Sequence, residues 1–217
     1  MPQPSADRFD EAYFRQLYGE IPAQTPFDRA RDARIVHLVH RHARPGGALL
    51  DIGCGYGFLL GRFRGRHRLV GIELSHHAGS TAREGAAGAA GARLVRADVE
   101  GGLPFRRTFE VVLAVNVIEH LREPASAVAS IREILLPGGL CVVHLPTVSG
   151  PFSRAIYRLA YAQDPTHIYR PSAREVDRLF ASEGFELLES SHAPHAPKIV
   201  ARRLTGSPAY LAAFRAP

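Results

Sequence analysis

From Ala48 onward, short runs of apolar and β-branched residues alternate with stretches whose apolar positions recur every three or four residues. That alternation is the pattern of βαβ units around a mainly parallel sheet. The runs that read as strands are residues 48–53 (ALLDIG), 68–74 (RLVGIEL), 92–98 (ARLVRAD), 109–116 (FEVVLAVN), 139–146 (GLCVVHLP), 185–191 (FELLESS) and 198–204 (KIVARRL). Helices fill the gaps. One is predicted from about Pro124 to Leu136, with Ala125, Val128, Ile131 and Leu135 on one stripe, ending before Pro137-Gly138-Gly139. Another opens at Ser172, whose hydroxyl can cap the amide of Glu175 while that carboxylate reaches back. It turns Val176, Leu179 and Phe180 inward and stops at Gly184.

Two places break the alternation. Before Ala48 lie two helical patterns, around FDEAYFRQLYG and DRARDARIVHLVHRHA, joined by a connection containing Pro22 and Pro26. Between the fifth strand and the Ser172 cap lie residues 147–170, far more than such a connection needs, and long insertions at a strand's C-terminal end tend to be lids. Its GPFSRAIYRLAYAQD stretch carries Phe152, Ile156, Tyr157, Leu159, Ala160 and Tyr161 on a helical pattern. That face suits an apolar or aromatic ligand, or closes over the protein's own core. The expected organisation is one domain over 1–217, with a helical cap over 1–45 and a lid over 147–170. The C-terminal SPAYLAAFRAP reads as an apolar tail that docks on the body or on a second subunit.

Composition narrows the setting. The start, MPQPSADRFDEAYF, is charged and has no apolar core, and no later run is long and uncharged enough to span a bilayer, so a soluble protein without a signal peptide is expected. The two cysteines, Cys54 and Cys141, give neither a disulfide framework nor a metal-ligand spacing. A reducing cytoplasm fits, and no metal site is expected. The net charge of +6 invites a nucleic-acid reading, but the basic residues are spread among acids and are almost all arginine, with Lys198 the only lysine. The densest basic stretch, GRFRGRHR, reads as a solvated helix face leading into the next strand, with a phosphate-facing stripe as the alternative. No nucleic-acid partner is expected.

The candidate chemistry starts at LLDIGCGYGFLL. Gly53, Gly55 and Gly57 directly follow a buried strand, so the backbone can turn tightly there and approach a ligand with no side chain between. The next strand ends in Glu73, 22 residues after Asp51, where a carboxylate can accept both hydrogen bonds of a ribose diol. NAD fits that pair as well as any adenosine ligand. Asp51 discriminates, because a carboxylate there repels a pyrophosphate but anchors a cation such as an amino acid's ammonium. An adenosine joined to an amino acid is the expected ligand.

With RADVEGGLPF, FEVVLAVNVIEHL and ILLPGGLCVVHLP following in order, the chain resembles the class I S-adenosylmethionine-dependent methyltransferases. It is most similar to their small-molecule branch, called type 11 or UbiE/UbiG-like, and the likeness runs from about Ala48 to Ser191. The resemblance implies an α/β, Rossmann-like, seven-stranded sheet whose last strand is antiparallel, with helices on both faces. The late runs from Phe185 and Lys198 fit the final hairpin. It implies S-adenosyl-L-methionine as cofactor and S-adenosyl-L-homocysteine as product. Gly53, Cys54, Gly55 and Gly57 would pass under the methionine part, with Asp51 ordering the loop and the ammonium end. Glu73 and Leu74 would sit at the ribose, Asp98 and Val99 at the adenine, and Asn116 and Val117 at the methionine moiety through their backbones. The chain departs from the family's pattern in two places, Glu110 where aspartate is usual and Thr147 where asparagine is.

The acceptor side is less specified. His120 in the family's EHL signature and His167 in DPTHIYRPS are the candidate general bases for a hydroxyl acceptor, Glu119 is a helix-start acid or an acceptor contact, and His144 reads as a packed structural histidine. A small-molecule acceptor with histidine-assisted O-methylation is expected of a monomer or homodimer. An accessory subunit without turnover of its own, or a methyltransferase acting on RNA or protein, stays open. The Asn/Asp-Pro-Pro-aromatic run of base-modifying enzymes is absent, since the chain reads NVIEHL.

Overall fold

The structure is a computed structural model describing residues 9–18, 23–160, 164–192 and 209–217. Two N-terminal helices, α1 (Glu11–Tyr18) and α2 (Pro26–His42), precede the sheet. Then come β1 (Ala48–Ile52), α3 (Phe58–Gly61), β2 (Arg68–Glu73), α4 (His76–Glu84), α5 (Ala86–Ala89), β3 (Arg93–Arg96) and β4 (Phe109–Val115). The rest is α6 (Pro124–Ile134), β5 (Leu135–Pro146), α7 (Pro151–Ala160), α8 (Ala173–Ser182), β6 (Glu186–Ser191) and β7 (Ala209–Arg215).

The strands form one seven-stranded sheet in the order β3-β2-β1-β4-β5-β7-β6. β7 runs antiparallel to both its neighbours, and the other pairings are parallel. Because strand side chains alternate faces, each central strand feeds two cores. Leu49, Val111, Leu113, Val142 and Leu211 pack with Ile35, Leu38 and Val39 of α2 and Leu60 of α3. Leu50, Val112, Val143, Ala212 and Phe214 pack with Val128 and Ile131 of α6 and Val176 and Phe180 of α8. Helices therefore cover both faces, which explains why these strands read as continuous apolar runs.

Local signals place the helices. Thr25 and Asp28 form a capping box at the start of α2, with Pro26 inside its first turn, and Ser172 with Glu175 does the same for α8. In α6 the buried stripe is Ala127, Val128, Ile131 and Ile134, while Ala125 faces outward. The helix stops two residues earlier than its periodicity implies, because Leu135 already pairs with Phe109 of β4. Residues 62–67 of GRFRGRHR lie in turns between the four-residue α3 and β2 and not on a helix face.

The C-terminal expectation is corrected. SPAYLAAFRAP is no docking tail: its residues 209–215 are β7, buried through Phe214 between β5 and β6. The run 198–204, read as the last strand, lies outside the described residues. A short Ala-rich segment buried on both faces shows no alternation and little β-branching, so it gave no strand signal. Phe214 stacks on Phe180 at 4.3 Å between centroids, and the Tyr210 hydroxyl donates to Asp177 of α8. Among the described residues, no helix is long and apolar enough to cross a membrane.

Candidate active site

The C-terminal ends of β1, β2 and β4, with the turns that follow β3 and β4, surround a cavity of about 420 Å³. Asp51, Gly53, Cys54, Gly55, Glu73, Leu74, Asp98, Val99, Asn116, Val117, His120 and His167 all line it, so the structure brings together nearly every residue singled out in the sequence.

The exception is Gly57, which does not line the cavity. Its φ is +73° and a Cβ there would lie 2.5 Å from that of Ala87 and 3.2 Å from that of Ala82, so the missing side chain is what lets α3 pack against α4 and α5. Gly53, at φ +65°, is required for another reason: a Cβ would sit 2.6 Å from Val117 Cγ2, where the ends of β1 and β4 meet.

Carboxylates organise the floor. Glu73 accepts from the Gly55 and Ser75 amides, both at 2.8 Å, one on each carboxylate oxygen. It is set deeper than an open strand tip would make it, and it ties the glycine loop to β2. Each oxygen keeps a second lone pair for a ribose hydroxyl. Asp51 is buried, which pushes its carboxyl up to about 8; Asp32 and Glu73 add to the rise and Arg31 opposes it. A cationic ligand group there would relieve that cost. Asp98 caps the turn Val99–Gly101 by accepting from the Glu100 amide at 3.0 Å.

Asn116 has a left-handed backbone at φ 55°, alone in this among the described non-glycine residues. Its N–H donates to the His144 carbonyl at 2.8 Å, and its Oδ1 meets His144 Nδ1 at 2.7 Å. His144 is thus the packed histidine its strand position suggested, and it fixes the chain reversal that carries Val117 to the cavity.

Opposite the glycine loop stands a hydrogen-bonded cluster. Asp164 accepts from the Tyr13 hydroxyl at 3.0 Å and from the Thr166 amide at 2.9 Å, and also from the Thr166 hydroxyl. Thr166 Oγ1 meets His120 Nδ1 at 2.8 Å; His167 has the Tyr157 hydroxyl 3.0 Å from Nδ1 and Asp164 3.4 Å from Nε2. The two imidazoles stand 4.8 Å apart, ring edge to face. Burial lowers the His167 pKa, with Asp164 working the other way, which favours the neutral ring. Beside them Glu119 is fully buried, and that burial pushes its carboxyl up to about 8.

The sequence reading missed the helical contributions. α2 brings Arg31 and Asp32 to the cavity, joined by hydrogen bonds of 2.9 and 3.1 Å, and α1 closes it with Tyr13 and Phe14, the latter packed edge-on to Tyr56 at 5.3 Å. The signal for Asp32 was present in hindsight: an acid on the apolar stripe of α2, buried like Ile35 and Val39.

A methyltransferase-domain family model matches residues 27–190. An uncharacterised methyltransferase of a Mycobacterium species is 34% identical over 185 residues, covering 82% of this chain and 66% of that one. A ubiquinone biosynthesis O-methyltransferase of Hahella chejuensis is 31% identical over 127 residues, 52% of this chain and 49% of that one. A tRNA U34 carboxymethyltransferase of Vibrio atlanticus is 28% identical over 155 residues, 69% and 48% of the two chains. The chain thus spans about half to two thirds of the length of these relatives. Among solved structures, the magnesium protoporphyrin IX methyltransferase of Synechocystis, crystallised with S-adenosylhomocysteine, superposes with a TM-score of 0.72 at 13% identity, over 98% of both chains. Family match, strand order and the ordered motifs around the cavity agree: this chain belongs to the class I S-adenosylmethionine-dependent methyltransferases.

Proposed function

We propose that the chain binds S-adenosylmethionine in this cavity and moves its methyl group to the hydroxyl of a small molecule. The observation that carries the reading is that the glycine-loop residues and the histidine cluster face each other across a single cavity of about 420 Å³, roofed by α1 and by residues 164–167. That volume lies at the small end of the usual range for ligand sites.

The residues fit the cofactor. Asp51 would take the ammonium and Arg31 the carboxylate of the methionine part, Glu73 the ribose, and Asp98 with the Val99 amide the adenine. The bound cofactor supplies a methyl already activated on a sulfonium. What remains for the protein is alignment, which can supply about 7–11 kcal/mol of the barrier. His120 and His167 stand on the acceptor side, where assistance with a hydroxyl proton adds about 10²–10⁴-fold.

The test is calorimetry with S-adenosylmethionine, S-adenosylhomocysteine and NAD, followed by turnover with hydroxylated small molecules. Binding of the two sulfur ligands and not NAD is expected, with His120→Gln or His167→Gln sparing that binding and slowing transfer. NAD binding without either sulfur ligand would overturn the reading. The tRNA-modifying relative favours a second reading, transfer to RNA, which label passing from the donor into RNA and not into small molecules would support.

A further inference from the structure

Glu119 is the one group in the cavity wall whose surroundings the transfer reaction leaves unexplained. It lies in the turn Ile118–His120 after β4, and its backbone carbonyl accepts from the Ile168 and Tyr169 amides at 3.0 and 2.9 Å. Those two bonds hold the turn against the segment between α7 and α8, so the side chains of 119, 120 and 167 are brought together by backbone structure. The Glu119 side chain is 0% exposed, and neither carboxylate oxygen has a hydrogen-bond partner among the described residues. Burying a carboxylate without a partner is strongly unfavourable, so such a group marks a place where something else is bound.

We infer that Glu119, His120 and His167 form a binding site for a first-row divalent cation, with open coordination positions facing the acceptor. One ligand atom from each lies within 4.8 Å of the others. Metal–ligand bonds of about 2.0–2.2 Å place ligand atoms roughly 3–4 Å apart, so side-chain shifts of about 1 Å would close the set. One carboxylate with two imidazoles is the donor set of catalytic zinc and of non-haem iron sites, which keep positions open for substrate. The supporting contacts are also in place. Thr166 on Nδ1 of His120, itself bonded to Asp164, and Tyr157 on Nδ1 of His167 are the kind of partners that orient ligating imidazoles. On His167 the 3.4 Å contact from Nε2 to Asp164 is the looser one and the one that yields.

The cation's role toward the acceptor rests on the proposed methyl transfer, but its binding does not. With both imidazoles on the cation, their help to the hydroxyl is given through it and not as bases: a hydroxyl held at the cation loses its proton to solvent more readily. The oxygen's lone pair then forms the new O–C bond as the C–S pair returns to sulfur.

The experiment is calorimetry of the untagged, chelator-treated full chain with Zn²⁺, Mn²⁺ and Mg²⁺, and S-adenosylhomocysteine binding measured on the same samples. Expected is one Zn²⁺ or Mn²⁺ per chain, weakened at least 100-fold in Glu119→Gln and in His167→Ala while S-adenosylhomocysteine binding persists. Co²⁺ should give a visible d–d spectrum that both substitutions abolish. No cation binding by a chain that still takes up S-adenosylhomocysteine overturns the inference and leaves the methyl-transfer reading standing. Cation binding unchanged in both variants overturns the placement. Failure of S-adenosylhomocysteine to bind counts against the cofactor reading instead, and the Co²⁺ spectrum still decides the cation site.

Discussion

Asp51 stands at the end of β1 with its carboxyl pushed up to about 8 by burial, with Asp32 and Glu73 nearby. The sign of its effect on stability follows. A pKa above the unfolded value means the folded state holds the proton more tightly, so this group's contribution is full below about pH 4 and is lost as pH rises through about 8. Asp51→Asn should therefore raise the melting temperature of the ligand-free protein, by more at pH 8.5 than at pH 5, when followed by scanning calorimetry. The same change should weaken S-adenosylhomocysteine binding about 10- to 100-fold, in line with about 1.5–3 kcal/mol for a bond to a charged group. A destabilised variant with normal affinity would remove Asp51 from the ammonium role. Gly57 makes the contrasting case: Gly57→Ala meets both a left-handed backbone and the Ala87 side chain, so a loss of about 1–3 kcal/mol in denaturant unfolding is expected, with cofactor affinity at saturation nearly unchanged. The three glycines look equivalent in the sequence. That Gly53 and Gly55 line the cavity while Gly57 packs against α5 depends on where α5 lies, and no local pattern carries that information.

At the scale of elements, the strands β1 to β6 and the capped helices α2 and α8 were legible because periodicity and caps are local. β7 was not, since a strand buried on both faces and rich in alanine has neither alternation nor β-branched enrichment. Its burial gives a sharp expectation: Ala212→Asp puts an unpaired charge into the core under α6 and α8 and should abolish folding, read as loss of cooperative thermal unfolding, which no tail would do. The insertion after β5 was legible as an excess of length over what a connection needs, and its internal contacts are visible only in three dimensions. Tyr157 of α7 reaches His167 ten residues later, so Tyr157→Phe should slow methyl transfer while leaving cofactor affinity intact. The histidine cluster was half legible: His120, His167 and Glu119 could be named, but not the burial of Glu119 or the bonds through Thr166 and Asp164, which join residues 46 apart.

Across the whole molecule, the cavity is lined by segments far apart in the chain, with Tyr13 of α1 bonded to Asp164 between α7 and α8 and Phe9 packed on His120 at 5.4 Å. Saturation with S-adenosylhomocysteine should therefore slow amide hydrogen exchange in residues 9–18 and 164–169 together. Protection confined to the glycine loop would mean that α1 is no roof. The sheet order has a separate consequence for how the chain is made. Among the described residues β6 pairs only with β7, which follows it in synthesis, and β7 also covers the edge of β5. Until residues 209–215 leave the ribosome, the nascent chain carries an uncovered apolar edge along LCVVHL and a β6 segment with no partner. The growing polypeptide is in that interval most exposed to self-association and most dependent on chaperones.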